Sequence, residues 1–138
     1  MKKMIKFAMA ATAVVAISDA ALARNDRAVF PIAAALKSGA IDRGTPIHFG
    51  STGGQALGPL KVSVKVSVGS QPQDACNRAF ADAIGQLQSK AQQLGGNAVG
   101  SIASIHGRSQ MTGGSEFLCG IGSVQTNVVL QGMAVRRR

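Results

Sequence analysis

DACNRAFADAIGQLQSKAQQLGGNAV, Asp74 to Val99, is the stretch whose reading decides the fold. At 100° per residue, Cys76, Phe80, Ala83, Ile84, Leu87, Ala91 and Leu94 share one apolar arc about 100° wide. Asn77, Arg78, Asp82, Gln86, Lys90, Gln92 and Gln93 fall outside it. The pattern predicts one amphipathic helix with Asp74 as its N-cap, two residues after Pro72. Gly95 and Gly96 supply a left-handed stop. The residues from Asn97 to His106 then read as a strand leaving that stop.

Working outward, Leu60 to Val68 is the clearest strand. Val62, Val64, Val66 and Val68 alternate with Ser63, Lys65 and Ser67, which fits one buried and one wet face. Glu116–Val124 and Val128–Val135 complete a meander after the helix, with Gly107–Ser115 as a turn. Upstream, Thr45–Gly50 reads as a short strand, Ser51–Gly58 as a glycine-rich loop and Phe30–Ser38 as a short helix with Pro31 at its first position. Arg24–Val29 reads as a loose start. Parallel neighbours would need more crossover helices than the chain has. The expected fold is therefore α+β, one long helix packed on an antiparallel sheet of four to five strands.

The first residues carry a different signal. Lys2, Lys3 and Lys6 precede an apolar run from Phe7 to Ile17, which is too short to span a bilayer comfortably. Ala21-Leu22-Ala23 has the form of a cleavage site. This predicts a secretory signal peptide over residues 1–23, cut between Ala23 and Arg24, and a single domain over 24–138 in the periplasm. The mature chain would not span the membrane. Removing Lys2, Lys3, Lys6 and Asp19 from the 15 basic and 6 acidic residues leaves 12 and 5, a net charge of +7. That balance favours anionic partners such as lipid headgroups, lipopolysaccharide or nucleic acid. The lack of Trp and Tyr removes the stacking platforms of a single-strand binder, so no nucleic-acid partner is expected.

Two cysteines in an exported chain most simply form one disulfide. Cys76 lies in the first helical turn on the apolar arc, and Cys119 shares a strand face with Phe117 and Ile121. A bond between them would pin the helix start to the sheet.

Other chemistry is sparse. His48 and His106 lack the three or four convergent ligands that a metal site needs, so no metal or cofactor is expected. Asp26, Asp42, Asp74, Asp82 and Glu116 form no obvious catalytic pair, and no serine sits in a G-x-S-x-G elbow. Gly53 to Gly58 has the glycine spacing of a phosphate loop, but Pro59-Leu60-Lys61 follows where Lys and then Ser or Thr is required. It reads as a turn. Gly85 is expected to face solvent. The run Arg136-Arg137-Arg138 reads either as a solvated tail or as a contact for an anionic surface.

Several stretches resemble a family of small exported Gram-negative proteins often labelled "excinuclease ATPase subunit". They are Phe30-Pro31-Ile32, Phe49-Gly50, Ala75-Cys76, Ala79-Phe80, Ala83-Ile84, Gly95-Gly96-Asn97-Ala98-Val99, Glu116-Phe117, Cys119-Gly120 and Val129 to Gly132. The chain is too short for an ATPase domain and has no working phosphate loop. The helix followed by L-G-G-N-A-V, with Gly132 to Val135 late in the chain, is also similar to the YbjQ-like domain, to which a domain of the outer-membrane stress sensor RcsF is related. That resemblance implies an α+β fold, oligomers in the YbjQ case and protein–protein signalling in the RcsF case. It implies no catalytic residues, and the chain lacks the four cysteines of RcsF. Together these readings point to a non-enzymatic binding or envelope-stress module. Its partner would be an envelope protein or an anionic envelope surface. The alternatives are a structural subunit that self-associates as a homo-oligomer through its sheet, where both faces of Val128–Val135 carry apolar residues, and a hydrolase with a site the sequence does not reveal.

Overall fold

A computed structural model describes residues 26–138; the expected signal peptide and its expected cut between Ala23 and Arg24 lie outside the described residues. The elements in chain order are β1 (Asp26–Pro31), α1 (Ile32–Ala35), β2 (Gln55–Ser67), α2 (Pro72–Gln93), β3 (Ala98–His106), β4 (Ser109–Met111), β5 (Glu116–Ile121) and β6 (Gln125–Arg136). All strand pairs are antiparallel and build one six-stranded sheet. β6 is its spine. One edge pairs with β2 from Gln55↔Arg136 to Ser67↔Gln125. The other edge pairs with β3 along Val129–Val135 and with β5 at Thr126 and Asn127. β1 pairs along β5, and β4 closes back on the end of β3.

The core lies between α2 and the sheet. Cys76, Phe80, Ala83, Ile84, Leu87 and Ala91 are fully buried against Val62, Val64, Phe117, Cys119, Val128 and Leu130. The Phe80 and Phe117 rings stand 4.4 Å apart. Burying each large aliphatic or aromatic side chain stabilises by about 1.5–3 kcal/mol, so this stripe supplies the main force that holds helix to sheet.

The helix starts earlier than expected. Gln71 is the N-cap, without a side-chain bond, and Pro72 takes the first turn, where its missing N–H costs nothing. Asp74 lies inside that turn, where its charge complements the helix dipole instead of capping it. Gly95, with φ +88°, ends the helix as expected. Leu94 belongs to the apolar arc yet is 49% exposed, because the helix has already ended at Gln93.

A second flank of α2 is also covered. The segment after α1 runs along it so closely that a Cβ on Gly39 would stand 2.9 Å from the Ala81 Cβ. Gly85 is therefore half-buried, and Asn77 and Gln88 are buried. The sequence places Gly85 toward solvent and Asn77 outside the apolar arc, and gives Gln88 no face, so the burial of the first two corrects the expectation.

Two strands gained and one lost bring the strand count to six. Asp26–Pro31 is a strand and not a loose start, because β5 offers it a full edge. The helix after it shrinks to Ile32–Ala35 with Pro31 as N-cap. Ser109–Met111, inside the expected turn, forms a hairpin with β3. Thr45–Gly50, by contrast, is not a strand: it makes a single parallel bridge, Ile47↔Val99. It lies there because β3 is bulged between Gly100 and Ala103, with Ser101 at φ 53°. The N–H groups of Ser101 and Ile102, in the bulge, donate to the carbonyls of Gly50 and His48 at 2.9 and 3.1 Å, and the N–H of Val99, on the edge of β3 away from β6, donates to the Pro46 carbonyl at 2.9 Å.

Candidate anion-binding cleft

Three features that stand apart in the sequence meet where β6 ends. Asn97, just beyond the glycine stop, extends the β3–β6 ladder with its side chain. Its Nδ2 donates to the Arg137 carbonyl at 2.7 Å, and its Oδ1 accepts from the Arg137 N–H at 2.7 Å. This fixes the backbone of Arg137 and turns its guanidinium across the start of β3. There Nη1 donates to His48 Nε2 at 2.8 Å and to Thr52 Oγ1 at 3.0 Å. Arg136 Nη1 donates to the Gly95 carbonyl at 3.1 Å. Arg137 is thus anchored, which removes the solvated-tail reading for that residue.

A guanidinium has only donors, so His48 Nε2 must present its lone pair and carry its proton on Nδ1. The loop Thr52–Gln55 forms the opposite wall. Gly54 is at φ +117°, and a Cβ there would lie 2.5 Å from the Arg136 carbonyl. Only glycine permits that approach. Thr52, Gly53, Gly54, Gln55 and the three arginines enclose an open cleft of about 900 Å³ with no acidic residue in its lining. Guanidinium groups offer forked donors suited to carboxylate and phosphate oxygens. The glycine stretch rejected as a phosphate loop therefore still borders a cationic site, although by a different geometry and with a strand after it.

The other expected site residues are accounted for. Cys76 and Cys119 are bonded, with their Cα atoms 6.0 Å apart, and both are fully buried. His106 is far along β3 from the cleft and lies over Gly120.

One polar cluster escaped the sequence reading. Gln88, 2% exposed, faces the loop 42–45. Its Nε2 donates to the carbonyls of Asp42 and Thr45 at 2.7 and 2.8 Å, and its Oε1 accepts from the Asp42 N–H at 3.0 Å. Gln92 Nε2 adds donations to Asp42 Oδ2 at 2.7 Å and Thr45 Oγ1 at 2.8 Å. The Gly44 N–H, with Gln92 and Thr45, holds the Asp42 carboxyl below its ordinary value. The only hint in the sequence was a polar i, i+4 pair beside an apolar arc. The arrangement fixes a loop and brings no reactive groups together.

Neither the family models nor the curated proteins contain a match to this chain. Among solved structures, it is similar to a protein of unknown function from Pediococcus pentosaceus ATCC 25745, described as a member of the DUF74 family. The identity is 15%, over 70% of this chain and all of that one, with a TM-score of 0.49. At that level the likeness says nothing of function.

Proposed function

We propose that the protein is an exported, non-enzymatic binding module that docks an anionic envelope surface through the cleft at the end of β6. The observation that carries this reading is Arg137, oriented by Asn97, His48 and Thr52 in a cleft without a carboxylate. Its guanidinium is positioned but not neutralised among the described residues. The net charge of +7 over residues 24–138 favours the same class of partner. Export is supported by the leader-like first residues and by a disulfide, which persists in oxidising compartments. No helix among the described residues is long and apolar enough to cross a membrane. The non-enzymatic reading rests on the engagement of His48 Nε2 and Thr52 Oγ1 by Arg137, which withdraws the nearest base and hydroxyl from proton transfer.

The test is co-sedimentation of the oxidised protein with vesicles of phosphatidylglycerol or phosphatidylcholine. Binding is expected to the anionic vesicles alone and to weaken as salt rises. An arginine near such a surface contributes about 1 kcal/mol, so Arg137→Gln should weaken binding about fivefold. Equal binding to both vesicle types, or no effect of Arg137→Gln, would overturn the proposal.

A self-associating subunit is the second reading. One face of β6 is taken up by the core, where Val128, Leu130 and Ala134 are buried, and Val129 and Met133 on the other are half-buried. The favouring observation is β2 instead, a 13-residue strand with one unpaired edge. Sedimentation velocity distinguishes the two: a monomer at micromolar concentration counts against the subunit.

A further inference from the structure

Strand register aligns a row of residues on the sheet face turned away from α2. Lys65 stands opposite Asn127, Asn127 opposite Gly120, and Gly120 opposite Arg27. Directly opposed residues in antiparallel strands project to the same face, about 5 Å apart. Their strand neighbours Val64, Thr126 and Cys119 are buried, so the row faces outward. Gly120 contributes no side chain, and His106 fills its place: a Cβ on residue 120 would lie 2.6 Å from the imidazole Cε1. The row thus presents Lys65, Asn127, His106 and Arg27.

A cavity of about 430 Å³ opens over this row, lined by Lys65, His106, Gly120, Asn127 and, from the β5–β6 turn, Val124. That volume suits a small molecule. Asn127 Oδ1 already accepts from Ser63 Oγ at 3.0 Å, so the group it offers to the cavity is its NH₂. Lys65 offers only donors. No acidic residue lines the cavity. Arg27, opposite Gly120 in register, lies outside the lining with its Nη1 on Ser109 Oγ. Val124, 70% exposed, forms an apolar wall beside the donors.

We propose that this cavity binds a small aliphatic carboxylate. The two carboxylate oxygens take Lys65 Nζ and Asn127 Nδ2, with His106 as a further donor, and the alkyl stem lies on Val124. The donors here are an ammonium, an amide and an imidazole, each a single point. Val124 in the lining gives an alkyl carboxylate an apolar contact that a bare phosphate ion lacks. The site does not depend on the arginine cleft.

The test is an NMR titration of the ¹⁵N-labelled, oxidised protein with butyrate, acetate and inorganic phosphate. Butyrate should give saturable shifts at the Asn127 side-chain amide, the Gly120 amide and the His106 ring, with acetate weaker. Lys65 is exposed on an edge strand, so Lys65→Gln should fold normally and weaken butyrate binding about tenfold. Arg137→Gln should leave it unchanged, which separates this site from the anionic-surface reading. No saturable shift with butyrate, tighter binding of phosphate than of butyrate, or an unaltered affinity in Lys65→Gln would each overturn the proposal.

Discussion

Gln88 shows how one side chain can hold a loop that carries no regular structure. Its three hydrogen bonds satisfy both main-chain groups of Asp42 and the carbonyl of Thr45. Gln88→Ala should leave those groups unpaired in a buried place and cost about 2–3 kcal/mol, at roughly 1 kcal/mol per bond. Denaturant unfolding would read this as a lower midpoint with an unchanged slope. Asp42, in the same cluster, makes a prediction with a defined sign. Its folded pKa lies below the ordinary 3.8, chiefly because of the Gly44 N–H and then Gln92 and Thr45. The unfolded chain binds that proton first as pH falls. The contribution of Asp42 is therefore present above pH 3.8 and is lost as pH falls through its lower folded value. Thermal melts across that range should show a shallower acid loss in Asp42→Asn than in the parent. Asn77 points the other way. It is buried on α2, and its Oδ1 has no hydrogen-bond partner among the described residues. Asn77→Ala should leave the melting temperature unchanged or higher, and a clear drop would contradict this account.

At the scale of elements, the helix and the disulfide carry the argument. Cys76–Cys119 fixes the first turn of α2 to β5 and closes a loop of 43 residues. In the chain-entropy model that closure stabilises by about 4 kcal/mol. Cys76→Ser and Cys119→Ser should therefore lower the melting temperature by similar amounts, and peptide mapping of the unfolded, oxidised parent should find no free thiol. Helix, stop, Val-Ser alternation and bridge were legible because each follows a local rule with a strong period. What was not legible depended on partners. Asp26–Pro31 has no strand-like alternation and pairs only because β5 presents an edge. Gln55–Gly58 belongs to the glycine-rich stretch Ser51–Gly58 that reads as a loop, and Pro59 follows it. Yet β2 accommodates them as an edge strand bulged between Ala56 and Gly58. Thr45–Gly50 has strand-like composition, but β3, at and beside its bulge, takes its carbonyls one by one. The cleft was half legible. Its arginines and its glycine loop were visible in the sequence, while their meeting depended on Asn97 and on a side-chain clamp that no spacing encodes.

For the whole molecule, β6 sets the layout. Its last residues lead into the arginine cleft, and its first residues border the cavity at Lys65 and Asn127. A positively charged chain thereby presents different donors at two ends of one central strand, forked guanidinium groups at one and single-point donors at the other. The central claim is that the first of these ends is what meets an anionic surface. Amide chemical-shift mapping of the oxidised protein against bicelles with and without phosphatidylglycerol tests it most directly. The account predicts shifts only with the anionic lipid, concentrated at His48, Thr52 to Gln55, Asn97 and Arg136 to Arg138. Shifts of equal size with zwitterionic bicelles, or a footprint elsewhere on the sheet or on α2, would contradict it.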